Sequence, residues 1–457
     1  MTDTVYDMVV LGAGSGGYAA ALRGAQLGLR VALIEADKVG GTCLHRGCVP
    51  TKALLHAAET VDAVRGARAL GVDAELRGVD MAALNAYKDS IVTRMHKGLQ
   101  GLVASRGIDL IVGRGRLAGA DTVEVDGRAV RGRNIVLATG SYSKTLGQRI
   151  DERVLTSEGA LRLERVPASA VVLGGGVIGV EFASAWASLG ARVTIIEALP
   201  RLVPGEDEAV SKQLERAFRK RRIAVRTNTM FESVERRDGG VTVHTQDGKT
   251  HDAEVMLIAV GRGPVTADLG YEQAGVAMDR GFVTTDGFGR TSVPGVWAVG
   301  DIVPGVQLAH RGFAQGIVVA EKIAGLDPAP VDDALVPKVT FCEPEIASVG
   351  LTEARARQVH GADAVTTAEF NVAGNAKSQI LGTQGFVKLV SLKDGPIVGF
   401  HAIGARMGEQ VGEGQLIVNW EADADDVAAL VHAHPTQNET LGEAAMALAG
   451  KPLHNHG

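Results

Sequence analysis

One pattern occurs twice in this chain, and that repetition constrains the fold more than any other feature. Residues 9–36 read VVLGAGSGGYAAALRGAQLGLRVALIEA, and residues 171–198 read VVLGGGVIGVEFASAWASLGARVTIIEA. The two stretches align without a gap and are identical at 15 of 28 positions. Each is an apolar β run, a G-x-G-x-x-G turn, a helical stretch and a second β run ending in Glu. The first glycine (Gly12, Gly174) permits the tight strand-to-helix turn. The second (Gly14, Gly176) lets a pyrophosphate approach the backbone. The third (Gly17, Gly179) lets helix and strand pack closely. The helix start then offers free N–H groups and a positive dipole end to phosphates. The acid 23 positions after the first glycine, Glu35 or Glu197, is placed to bind ribose hydroxyls. A lone G-x-G-x-x-G also occurs in ordinary glycine turns. Two copies, each with its strands, helix and acid, point to two dinucleotide sites.

Each copy is followed by a similar stretch. Residues 108–140 and 231–262 alternate β residues with turn signals such as VDGR, RDGG and QDGK, and close on LATG and IAVGR. Each half therefore reads as a Rossmann-type βαβ unit with a β-meander. A buried strand in VPGVWAVGDIVPG (293–305) follows, ending at Gly300–Asp301. Past Pro337 the texture changes to short strands (KVTF, EIASVG, TAEFNV, GFVKLV, PIVGFHAIG) and helices near 407–421, 425–432 and 438–449, the second capped by Asp423 to Asp426. The fold class is α/β: two Rossmann-like domains, each a parallel sheet plus meander, and a C-terminal α+β domain suited to a subunit interface. The 457 residues suffice for roughly three domains of about 150 each.

A net charge of −6 argues against a nucleic-acid partner, which would call for a basic footprint. The start MTDTVYDMVVLGAG lacks a basic region and runs directly into a strand, so no signal peptide is expected. The apolar run at 169–180 ends at Glu181 and is too short to span a bilayer. No membrane partner is expected. Three cysteines are too few for a secreted disulfide scaffold, which favours a cytoplasmic protein whose Cys pair is catalytic or metal-binding.

That pair is Cys43 and Cys48 in GGTCLHRGCVPTKA. A structural zinc site calls for four ligands, and the one further cysteine, Cys342 in FCEPE, has no Cys/His cluster beside it; no metal is expected. Cys342 reads as a small apolar filler. A disulfide needs Cα atoms within about 7 Å, whereas helical positions five apart are separated by roughly 8.6 Å. The pair can close only on distorted backbone. Gly47 permits unusual dihedrals, and Pro50 fits only a first helical turn. The regular helix is thus expected to start near Pro50, with the cysteines at its N-terminus, where thiolates are stabilised. A second anchor is HAHPTQNETLGEA (432–444), with Glu439 five residues after His434. An imidazole oriented by a carboxylate is a good general base, while a surface His beside a turn gives the same spacing. The C-terminal HNHG reads as a solvated tail.

Taken in order, G-x-G-x-x-G, GGTC-x4-C-x-P-x-K, a second G-x-G-x-x-G, VGD and HAHPT-x2-E resemble the pyridine nucleotide-disulfide oxidoreductases along essentially the whole chain. The resemblance is strongest to the branch that oxidises dihydrolipoamide. It implies non-covalent FAD on Gly12, Gly14, Gly17 and Glu35, with Lys52, Gly115, Gly140, Asp301 (ribityl chain) and Ala309 also in contact. It implies NAD as substrate on Gly174, Gly176, Gly179, Glu181, Glu197, Met230 and Gly261. An acid at 197 suits a ribose 2′-OH and repels a 2′-phosphate, favouring NAD over NADP. The implied domains are 1–147 and 271–336 for FAD, 148–270 for NAD and 337–457 for dimerisation.

By the same resemblance, dihydrolipoamide attacks Cys43, His434 takes the thiol proton, Glu439 holds the imidazole, and Cys48 is the thiolate facing the flavin. Electrons leave as hydride to NAD+. Lys52 stands beside the flavin with Glu181 as its partner; a plain ion pair is the bland alternative. The dyad comes from the other subunit, so a homodimer is the active unit. The lipoyl group would arrive on the lipoylated E2 acyltransferase of a 2-oxo acid dehydrogenase complex, since no lipoyl domain is expected ahead of the first strand. His45–Arg46 depart from the family, which often has Asn-Val there. Arg46 can favour a nearby thiolate or can simply be solvated. Rival readings are a glutathione, trypanothione-like or mercuric ion reductase, and a redox-inactive docking subunit. The absence of a cysteine after 342 speaks against the mercuric reductase, and Glu197 against the NADPH-using glutathione reductases.

Overall fold

The computed structural model describes residues 5–454 and divides into two compact units. The first comprises residues 1–54, 82–144 and 261–333, and the second 55–81, 145–260 and 334–457. Residues 1–4 and 455–457 lie outside the described residues, and with them most of the HNHG tail.

In the first unit the order of strands across the sheet is Asp109–Val112, Val31–Glu35, Val5–Leu11, Arg128–Leu137, Thr122–Val125 and Gly115–Gly119, with Val296–Ala298 also paired to Arg128–Leu137. Val5–Leu11 runs parallel to both neighbours, whereas the two hairpins of the meander are antiparallel. Alternation buries both faces. Val9, Leu11, Ala32 and Ile34 enter one core with Leu117 and Tyr271. Met8, Val10, Val31 and Leu33 enter the other, against Ala20 and Ala21 of helix Ser15–Gln26 and Val319 of helix Ala309–Ile323. A strand covered on both faces has to be apolar throughout, as MVVL is. At Gly316 a Cβ would lie 2.3 Å from the Gly16 carbonyl oxygen, so the absent side chain lets the two helices touch.

The second unit holds the repeat's second copy, a five-stranded parallel sheet in the order Ala224–Arg226, Arg192–Ile196, Ser169–Leu173, Val255–Ile258, Val154–Leu155. Here the meander Phe231–Arg237, Gly240–Thr245, Thr250–Ala253 is a separate three-stranded sheet, whereas in the first copy it continues the parallel one. The C-terminal region is a five-stranded antiparallel sheet with helices Met407–Asn419, Ala424–Ala428 and Glu439–Leu448. Helix Ala424–Ala428 opens with a reciprocal Asp423/Asp426 capping box and is shorter than its sequence pattern predicts. The 25-residue helix Met81–Ser105 is not foreseen: most of its positions are exposed, so it lacks a continuous apolar stripe.

Candidate functional site

The two glycine turns are built alike. Gly12 (φ +100°) and Gly174 (φ +106°) adopt left-handed backbone, and a Cβ there would come 2.4 Å from the Ala138 carbonyl oxygen and 2.5 Å from that of Ala259. A Cβ at Gly17 would stand 1.8 Å from the Gly12 oxygen, and one at Gly179 1.9 Å from that of Gly174. At Gly14 and Gly176 a Cβ would meet nothing within 4 Å. Both are extended N-cap residues whose helices, Ser15–Gln26 and Val177–Leu189, carry no side-chain cap. Each motif thus packs its first and third glycines against protein and leaves space at the second, beside uncapped amides. That arrangement fits a dinucleotide pyrophosphate.

The acids repeat as well. Glu35 accepts from the Ala13 N–H (2.8 Å) and the Asp37 N–H (2.9 Å). Glu197 accepts from the Gly175 N–H (2.5 Å) and the Leu199 N–H (2.7 Å). Each carboxylate therefore braces its own glycine loop, a role its spacing alone does not reveal. Burial raises the Glu35 carboxyl, while the Ala13 amide and the Arg46 charge oppose the shift.

The cysteine segment is tied to the first loop. The Gly40 N–H donates to the Ala13 carbonyl (2.8 Å), and a Cβ on Gly41 would come 2.7 Å from Gly14 Cα. Cys43 lies in the short helix Gly41–Arg46, and Gly47 (φ −135°, ψ −107°) breaks the path before helix Cys48–Gly66. The regular helix begins at Cys48, two residues earlier than expected, because Pro50 falls within its first turn and needs no N–H partner. The break brings the two thiols into hydrogen-bond contact. That contact, then burial, pushes Cys43 far above the usual thiol range, while the Lys52 charge pulls it down.

The unusual His45 and Arg46 are anchors in this structure. Arg46 pairs with Asp37. His45 Nε2 lies 2.9 Å from the Val39 carbonyl, and its ring meets His96 edge-on at 4.8 Å. Tyr18 gives no sequence cue to the site beyond its place in an apolar helix directly after the third glycine, and burial and the charges of Cys43 and Cys48 push its hydroxyl up to about 12.

Asp301 accepts from the Ser141 hydroxyl, whose oxygen receives Arg262 Nε at 2.7 Å. Arg262 Nη2 also donates to the Ser141 carbonyl at 2.7 Å. Neither Ser141 nor Arg262 stood out in the sequence; each follows a glycine at the end of a buried strand. Gly140 and Gly261 have left-handed backbone with open space around a Cβ, and Ala309 opens a helix without a side-chain cap. Gly115 differs: a Cβ there would strike Leu11 Cδ1 at 2.6 Å, so its local role is packing.

In the second unit, His434 Nδ1 lies 2.7 Å from Glu439 Oε1, and the Thr436 N–H donates to Glu439 Oε2 at 2.7 Å. These bonds hold the Glu439 carboxyl below its ordinary value against partial burial. With Nδ1 engaged, Nε2 is left to take a proton. Glu181 is buried and accepts from the Phe341 N–H at 2.9 Å. Met230 is half exposed. Cys342 is buried, and its thiol donates to the Pro344 carbonyl. Glu443 takes His454 Nδ1 at 2.7 Å, so His454 is held rather than merely solvated. Among the described residues no group of three His, Cys, Asp or Glu could hold a metal, and no helix is long and apolar enough to cross a membrane.

The family profile described as pyridine nucleotide-disulphide oxidoreductase matches residues 6–316, and that family's dimerisation domain matches residues 336–445. A dihydrolipoyl dehydrogenase of Bacillus subtilis (strain 168) is 39% identical, covering 98% of this chain and 97% of its own length. One from Thermus scotoductus is 38% identical over 98% of both chains. Among solved structures, LpdA of Mycobacterium tuberculosis superposes with a TM-score of 0.90 at 27% identity, covering 96% of this chain and 99% of that one. The HOCl-induced flavoprotein disulfide reductase RclA of Escherichia coli, as its Cu(II) complex, gives 0.88 at 26%, covering 97% and 100%. The chain belongs to the pyridine nucleotide-disulphide oxidoreductase family.

Proposed function

We propose that this chain oxidises dihydrolipoamide to lipoamide through a Cys43–Cys48 disulfide and passes the electron pair to NAD+. Two thiols in contact at a broken helix start, beside a phosphate-binding loop, are the observation that carries the reading. The overall balance is dihydrolipoamide plus NAD+ giving lipoamide, NADH and a proton. Cys43 is the sulfur attacked by the substrate thiolate, giving a mixed disulfide and freeing Cys48. The second substrate thiolate then displaces Cys43 and closes lipoamide. His434, held by Glu439, takes the substrate's thiol proton. FAD bound here would supply the two-electron chemistry that links the dithiol to NAD+.

Gly12, Gly14, Gly17, Glu35, Gly115, Gly140, Asp301 and Ala309 hold FAD in this reading, with Lys52 beside it. Lys52 also lowers the cost of a thiolate at Cys43. Gly174, Gly176, Gly179, Glu181, Glu197, Met230 and Gly261 receive NAD. Residues 1–147 and 271–336 form the FAD domain, 148–270 the NAD domain and 337–457 the dimer interface. His434 of the partner subunit serves Cys43, which makes the homodimer the working unit in the cytoplasm. The lipoyl group comes from an E2 acyltransferase chain.

Anaerobic addition of dihydrolipoamide tests the assignment. It should reduce the flavin of the wild type and leave that of Cys43→Ser oxidised. Rapid flavin reduction in Cys43→Ser would overturn it.

A further inference from the structure

A second His–Glu pair stands next to the dyad. Glu413, on helix Met407–Asn419, places Oε1 2.8 Å from His432 Nε2, and its Oε2 accepts from Asn438 Nδ2 at 2.6 Å. One carboxylate thereby grips both ends of the segment 432–438. The middle of that segment carries His434 and is held by the other carboxylate, Glu439, through His434 and Thr436. Asn438 is also the N-cap residue of helix Glu439–Leu448. The His432 ring packs closely against that helix: a Cβ on Gly442 would come 2.6 Å from His432 Nδ1. His432 thus contacts the element that presents Glu439.

We propose that Glu413, His432 and Asn438 form a brace that positions the His434–Glu439 dyad. The proposal rests on the reading of His434 as the base. His432 is raised above the ordinary histidine range, first by its bond to Glu413 and further by the charge of Glu439. Glu413 is lowered by His432 and Asn438 against its burial. The charges facing His432 are thus Glu413 from one helix and Glu439 from the other. Glu443, one turn further along, is engaged by His454.

The sign of the effect follows. A positive His432 partly offsets Glu439, so removing it leaves His434 in a more negative field. The acidic limb of kcat/KM, which reports the base becoming free, then moves to higher pH. His432→Gln can still donate to Glu413 but lacks the charge. Asn438→Asp adds a negative charge beside Glu413 and breaks one arm of the brace.

The test is the pH profile of dihydrolipoamide oxidation by the FAD-loaded full chain for both variants, with His434→Ala alongside. Each brace variant should keep its FAD and shift the acidic limb up by about half a pH unit. An unmoved limb in a variant that retains FAD overturns the brace. Loss of FAD and of the dimer in both variants would also overturn it, assigning the three residues to folding alone. Full turnover in His434→Ala would instead sink the dyad reading itself. An inactive His434→Ala with unmoved limbs in the brace variants would sink only the brace.

Discussion

The Gly40 N–H donates to the Ala13 carbonyl at 2.8 Å, joining the cysteine segment to the loop that precedes the first helix. Ala13 is held from both sides, since its own N–H goes to Glu35. The first glycine loop and the cysteine segment thus meet at one hydrogen-bonded residue.

The glycines separate packing from binding. Gly14→Ala meets no protein atom within 4 Å and should fold, yet its methyl occupies the space a phosphate approaches. It should purify with little bound flavin. Gly176→Ala should keep its flavin and raise KM for NAD+. Gly17→Ala would place a Cβ 1.8 Å from a carbonyl oxygen and should lower stability by about 1–3 kcal/mol, read as a fall in Tm. Flavin absorbance and NAD+ saturation curves distinguish the three.

Ser141 relays between Arg262 and Asp301. Ser141→Ala strands a guanidinium N–H and a carboxylate oxygen at a cost of about 1–3 kcal/mol. FAD should dissociate at least tenfold more readily, measured by flavin released on dialysis. Unchanged retention would remove Ser141 from the binding machinery.

Glu439→Gln removes a negative charge from His434. The acidic limb of kcat/KM then moves to lower pH. The turnover above the limb should fall at least about tenfold, because the imidazole is less well held. This shift is opposite to that of the brace variants.

Glu343 provides a stability test. Burial pushes its carboxyl up to about 7, well above the ordinary carboxylate range. A carboxyl that is harder to ionise in the folded chain destabilises it as pH rises from the unfolded value through the folded one. The cost is absent below about pH 4 and complete above about pH 8. Glu343→Gln should therefore raise Tm at pH 8 relative to wild type, with a smaller difference at pH 5.

Much of this was legible in the residues because close backbone contacts demand glycine and sheets buried on both faces demand apolar runs. The repeat, its two Rossmann-like sheets and the strands of the third domain follow from such local rules, whereas the 434–439 pairing came only from the resemblance, since its spacing also suits a surface histidine beside a turn. Helix Met81–Ser105 was not legible, since its exposed surface blurs the period. Ser141, Arg262, Tyr18 and Glu413 escaped because their partners are distant in sequence: Arg262 is 121 residues from Ser141. The role of Arg46 was open until its pairing with Asp37 placed it as an anchor of the cysteine segment.

The central claim is dihydrolipoamide-dependent NAD+ reduction. The purified flavoprotein should form NADH from NAD+ and dihydrolipoamide, far faster than it forms NADPH from NADP+. It should show little oxidation of NADH or NADPH with glutathione disulfide or mercuric ion. No NADH from dihydrolipoamide, together with brisk NADPH-dependent reduction of either alternative, would contradict the account.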